Sequence, residues 1–145
     1  MSRGLELREV ARRLAAAVAE ADGLRRCYPS VPARIGEMPA AYVGLPDRVV
    51  FNRRYGRGPV EATVPVTVVT GVVEADEAQL VMLDLVSNRP LVDGGHLSVK
   101  DAVEADRTLG GACSVCLVTE ANDPRGITVA EATYLAIDLL VTVHA

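Results

Sequence analysis

Aromatic residues are scarce in this chain of 145 residues: one Phe, four Tyr and no Trp. A platform for stacking bases or sugars needs several aromatic faces in a row, and none occurs, which disfavours single-strand nucleic-acid binding by stacking. Lysine is nearly absent too, with Lys100 set against 14 Arg. That bias, beside abundant Ala and Val, reads as the signature of a GC-rich genome. Cysteine is limited to Cys27, Cys113 and Cys116, an odd number that does not make a disulfide scaffold. No run approaches the ~18 apolar residues of a membrane span. Charged residues from Glu6 to Arg13 break up any signal-peptide core. The expectation is a soluble protein of a reducing compartment.

What is present is apolar and unevenly charged. Half the residues are hydrophobic and 23% are charged, enough for one core in one domain spanning residues 1–145. The net charge of −4 argues against a generic nucleic-acid binder. It hides a split: residues 1–60 hold 11 Arg and 6 acids, whereas residues 61–145 hold 4 basic residues and 13 acids. The two halves either neutralise one another within the fold or give a bipolar surface on which identical subunits associate.

Periodicity divides the chain into elements. Residues 3–22 form an amphipathic helix with Leu7, Val10, Ala11, Leu14, Ala17, Val18 and Ala21 on one face, ending at Gly23. Pro29, Pro32 and Pro39 make residues 24–39 an irregular crossing. Ala40–Gly44 and Arg48–Arg54 read as strands joined by a turn at Leu45-Pro46-Asp47, and Tyr55–Pro59 as a Gly-rich loop. Val60–Val72 is a strand with Ala62, Val64, Val66 and Val68 on one face and Thr63, Pro65 and Thr67 on the other. Pro65 cannot donate to a ladder, which points to an edge or a bulge.

In the second half, residues 75–87 have helical spacing, with Ala78, Leu80, Leu83 and Val86 toward the sheet. A loop at 88–97 follows. Ser98-Val99-Lys100-Asp101 fits a capping box opening a helix that ends near Gly110 or Gly111. Cys113–Thr119 reads as a strand, Glu120–Gly126 as a turn at Asn122-Asp123-Pro124, and Thr133–Val143 as a strictly alternating last strand. The expected architecture is α+β: one mixed or antiparallel sheet of about five strands with helices on one face, in the order α-β-β-β-α-α-β-β.

Motifs for catalysis are missing. There is no phosphate loop, dinucleotide fingerprint or nucleophile elbow. Cys113-Ser114-Val115-Cys116 has redox spacing, but it enters a strand, where positions i and i+3 face opposite ways, so both read as structural cysteines. His96 and His144 have no metal spacing. Asp138 lies between Ile137 and Leu139, yet alternation places it on the more polar face. The reading is of a chain that is not an enzyme and needs no metal or cofactor. Arg48, Arg53, Arg54 and Arg57 instead form an arm able to grip carboxylates on a neighbour. Loop position and charge add Asp93 and His96 in the loop 89–96, and Glu120, Asp123 and Arg125, as interface candidates.

An ordered series of segments also resembles a known family. These are the N-terminal helix and Pro-rich crossing, then Pro39-Ala40-Ala41-Tyr42-Val43-Gly44 and Val64-Pro65-Val66-Thr67-Val68-Val69. Ser98–Val103 leading into Thr108-Leu109-Gly110-Gly111 follows, and the series closes with Tyr134–Val143. Together they resemble the tail terminator proteins of long-tailed bacteriophages, especially those of actinobacterial hosts. The resemblance implies a small α+β subunit that forms a hexameric ring with copies of itself. Such a ring caps the head-proximal end of the tail tube, contacts the tube protein and the head connector or stopper, and ends tube growth. Genomic DNA passes through its lumen without specific binding. It implies a place in the virion neck after assembly in the host cytoplasm, with no membrane partner. Two alternatives are another head–tail adaptor and a small cytoplasmic enzyme using Cys113 or Cys116.

Overall fold

A computed structural model of the chain describes residues 5–21, 24–36, 38–51, 59–72, 76–87, 98–129 and 131–145. Among the described residues, three helices, α1 (Leu7–Val18), α2 (Asp76–Val86) and α3 (Val99–Glu104), accompany six strands. The strands are β1 (Arg26–Tyr28), β2 (Ala40–Val43), β3 (Arg48–Phe51), β4 (Pro59–Val72), β5 (Val115–Val129) and β6 (Ala132–His144). They form one mixed sheet in the order β1-β2-β4-β6-β5, with β3 also paired to β4. Among the described pairings, β1–β2 is parallel and the others are antiparallel. The α+β class holds, with one strand more than expected: β1 lies inside the supposedly irregular crossing. No helix among the described residues is long and apolar enough to cross a membrane.

The helix signals work largely as physics requires. In α1, Val10, Leu14, Ala15 and Val18 are buried at the 3–4 spacing. In α3 the Ser98 hydroxyl accepts from the Asp101 amide at 3.2 Å, the serine half of the expected capping box. That helix stops at Glu104, well before the glycines, and a short 3₁₀ turn occupies Leu109–Gly111. Gly110 suits the turn, since its φ of +68° strains other residues and a Cβ there would displace the Arg13 guanidinium. Helix α2 departs from its expected stripe. Ala78, Met82 and Leu85 are buried, whereas Leu80 and Leu83 are 62% and 59% exposed. The buried set follows i, i+4, i+7, a helical face that the many apolar residues of this segment had obscured.

The core lies between the helices and one face of the sheet. Ala62, Val64, Val66 and Val68 of β4 meet Leu139, Val141 and Val143 of β6 and the inward residues of α1 and α3, with Leu85 from α2. The strict alternation predicted for β6 holds only in its second half. Leu135 and Ile137 are half-buried, and Ala136 is buried on the opposite face. That second face has its own rung, Arg26–Ala40–Val69–Ala136–Arg125, in which Ala40, Val69 and Ala136 are buried.

Two predicted turns are corrected. Leu45-Pro46-Asp47 does not reverse the chain. Strands β2 and β3 both pair antiparallel with β4, one after the other along the same side. Across the break, the Gly44 amide donates to the Pro65 carbonyl and the Asp47 amide to the Thr63 carbonyl, each at 2.8 Å. A strand residue points its N–H and C=O to the same side. The donor that Pro65 lacks is therefore missing at the interruption, which lets a proline occupy a central strand. Nor does Glu120–Gly126 end β5. The pairing shifts between Asn122 and Arg125, so the Asp-Pro pair makes a bulge, with Asp123 at φ +57°.

Candidate functional site

The bulge in β5 builds a hydrogen-bonded polar group on the sheet. It presents Arg125 beside β6, where Nη2 lies 3.2 Å from Asp138 Oδ1. Arg125 Nη1 also donates to the Asp123 carbonyl at 3.0 Å and lies 3.4 Å from its carboxylate. From β4, the Thr67 hydroxyl donates to the same Asp138 oxygen at 2.7 Å. Thr67, Asp138 and Asn122 are partners across three adjacent strands, which explains why the side chains meet. Asp138 is thus a tethering carboxylate held from two sides, with its side chain 19% exposed. Glu120 makes one long contact, a 3.5 Å hydrogen bond from Asn122 Nδ2.

Among the nine predicted interface residues, the structure joins Asp123 to Arg125 and sets Glu120 on the same strand. Arg48 is exposed on β3, across β4 and β6 from Leu117 of β5. At ~4.8 Å per strand spacing it is roughly 14 Å from that strand. Arg53, Arg54, Arg57, Asp93 and His96 lie outside the described residues. The predicted arm is therefore represented by Arg48 alone.

A second charged group joins α1 to the 3₁₀ turn. Glu9 accepts from Arg12 and Arg13, with closest approaches of 2.6 Å. Arg13 Nη1 reaches on to the Leu109 and Gly110 carbonyls at 3.2 and 2.6 Å. The hydrogen bonds from Arg12 and then Arg13 hold the Glu9 carboxyl down at about 2. Asp106, on the same turn, is held below its ordinary value by the Thr108 hydroxyl and the Thr108 and Gly110 amides. The i, i+3 and i, i+4 spacing of Glu9 with Arg12 and Arg13 was legible in the sequence; the reach of Arg13 to residues 96 and 97 positions away was not.

The edge strand is met from α3. Glu104, with its side chain 11% exposed, accepts from the Val118 amide at 3.0 Å and from Lys100 at 2.6 Å. Partial burial pushes its carboxyl up, but these donors and Arg107 outweigh that and hold it low. A carboxylate here satisfies an amide of β5, which among the described strands is at the edge of the sheet.

Both cysteines of the C-x-x-C lie in the core, Cys113 at 9% exposure and Cys116 at 0%. The expected divergence fails because Cys113 precedes the strand, whose first residue is Val115. Burial pushes the Cys116 thiol up to about 12 and raises Cys113 as well, and burial alone raises Cys27 to about 12. Raised thiols hold little thiolate at neutral pH, the opposite of an activated nucleophile.

The break between β2 and β3 creates an apolar groove of about 590 Å³. Its walls are Leu7, Arg8, Ala11 and Arg12 of α1, Pro29–Val31 after β1, Val43–Pro46 at the break, and Val64. Leu45 and Val31 on its lips are 86% and 63% exposed. Sequence reasoning missed it. Its signal is the exposed leucine beside Pro46, where a strand is interrupted. Among the described residues, no group of three His, Cys, Asp or Glu is placed to hold a metal ion. No protein-family model matches this chain, and no curated protein matches it significantly.

Proposed function

We propose that this chain is a ring-forming structural subunit of a long-tailed phage neck, a tail terminator that caps the tail tube and joins it to the head connector. The observation that supports this most is where the resembling segments fall. Pro39–Gly44 contains β2, Val64–Val69 is the middle of β4, and Tyr134–Val143 is nearly all of β6. These three strands are adjacent in the sheet. Ser98–Val103 supplies the cap and most of α3, which packs on β5 and α1. The resemblance thus concerns one continuous piece of architecture. A fold alone carries no function, so the reading rests on surfaces. Opposite charge in the two halves suits a closed ring, in which two different patches of each subunit meet.

The test is negative-stain microscopy of the purified protein, alone and with growing tail tubes from the same source. Rings, or a density capping one end of tubes of limited length, are expected. A monomer that ignores the tubes refutes the reading and turns attention to a connector-side adaptor.

A further inference from the structure

Among the described residues, two exposed apolar surfaces lie on helices of opposite net charge. One is the groove at the β2–β3 break. The other is the outer face of α2, where Leu80 and Leu83 stand 62% and 59% exposed. At i, i+3 spacing they are neighbours on one helix face. Large exposed apolar groups that cluster mark interaction sites, whereas scattered single ones do not.

Charge identifies the occupant. The α2 segment contains Asp76, Glu77 and Asp84 and no basic residue. The groove is walled on its α1 side by Arg8 and Arg12. Arg8 is exposed and has no ion-pair partner among the described residues. Arg12 has its side chain 66% exposed while it holds Glu9. No described residue of α2 lines the groove; α2 packs instead on β4, β6 and α3. The ridge and the groove are therefore separate surfaces, both apolar, on helices of opposite net charge. We infer that the chain docks head to tail on itself, with Leu80 and Leu83 of one copy seated in the groove of the next, which sets the acid-rich helix α2 against the wall that carries Arg8 and Arg12. An apolar centre with a charged rim is the usual anatomy of a specific interface. The contact joins unlike patches, so it is heterologous and can propagate from copy to copy into a ring or a filament. The inference rests on the self-assembly part of the proposed function and specifies the contact.

The test uses the full chain and two surface double variants, with mass in solution measured by light scattering and folding checked by circular dichroism. Leu80→Asp with Leu83→Asp removes the ridge. Val31→Asp with Leu45→Asp closes the groove. Each variant alone is expected to be monomeric. Their equimolar mixture is expected to form a dimer and stop, because one copy supplies a groove and the other a ridge. Arg8→Glu, which touches no apolar contact of the core, is expected to weaken assembly of the otherwise unchanged chain. Assembly of both double variants like the parent, a mixture that stays monomeric, or a parent that is monomeric at every concentration overturns the inference. Rings that persist in both double variants overturn this contact and leave the ring reading standing. Open chains that both variants abolish support the contact and refute the closed ring.

Discussion

Glu104 shows how much one side chain can decide in this molecule. It is the acceptor for an edge-strand amide, and its nearest cation is one helical turn away. Glu104→Ala leaves the Val118 amide without that acceptor and is expected to lower stability by about 1–3 kcal/mol. Glu104→Gln keeps an oxygen in place and is expected to recover part of the loss. Urea denaturation of the two variants measures this, and equal stability of Glu104→Ala and the parent refutes the assignment. The thiols give a second residue-scale expectation. Cys113 and Cys116 are buried and all three thiols are raised. A chromogenic disulfide reagent at neutral pH should label none of them quickly in the native chain and all three in denaturant. One fast stoichiometric thiol would revive the enzyme alternative.

Among the elements, β4 does most to organise the fold. It pairs with β6 along nearly its full length on one side and with β2 and then β3 on the other. The arrangement depends on Gly44 and Pro65 fitting together. A Cβ on Gly44 would lie 3.2 Å from Pro65 Cγ and 3.4 Å from its carbonyl oxygen. Gly44→Val forces the break away from β4 and is expected to cost about 1–3 kcal/mol, as overpacking does. Thermal or urea unfolding checks it; an unchanged midpoint would mean that the break gives way freely. The same interruption opens the groove, so the residue that spoils the strand also shapes the surface.

Over the whole molecule, pH acts through depressed carboxyls. Glu9, Glu104 and Asp106 are all held below their ordinary values, and they tie α1, α3, the 3₁₀ turn and β5 together. A carboxyl depressed by folding binds more protons in the unfolded chain than in the folded one. Its contribution is fully present above the unfolded value, 4.5 for the two Glu and 3.8 for Asp106, and is lost as pH falls toward the folded value, about 2 for Glu9. The urea midpoint is expected to fall between pH 5.5 and pH 3. Glu9→Gln with Asp106→Asn should flatten that fall. A parent midpoint independent of pH over this interval would contradict the linkage.

Sequence alone determined the class of fold, most element positions and the core stripe of β4, because period and capping act within a few residues. Ala62, Val64, Val66 and Val68 face the core as alternation requires, and Ser98 caps its helix. Tertiary structure decided whatever depends on a partner distant along the chain. An Asp-Pro pair that signals a turn becomes a bulge because β6 continues beside it and keeps β5 in register. Leu45-Pro46-Asp47 becomes an interruption because β4 accepts amides on both sides of it. Leu80 and Leu83 are left outside because Ala78, Met82 and Leu85 already fill the inward face of α2. Local chemistry sets what each segment can form; which face is buried, and which groove is left open, follows from what packs against it.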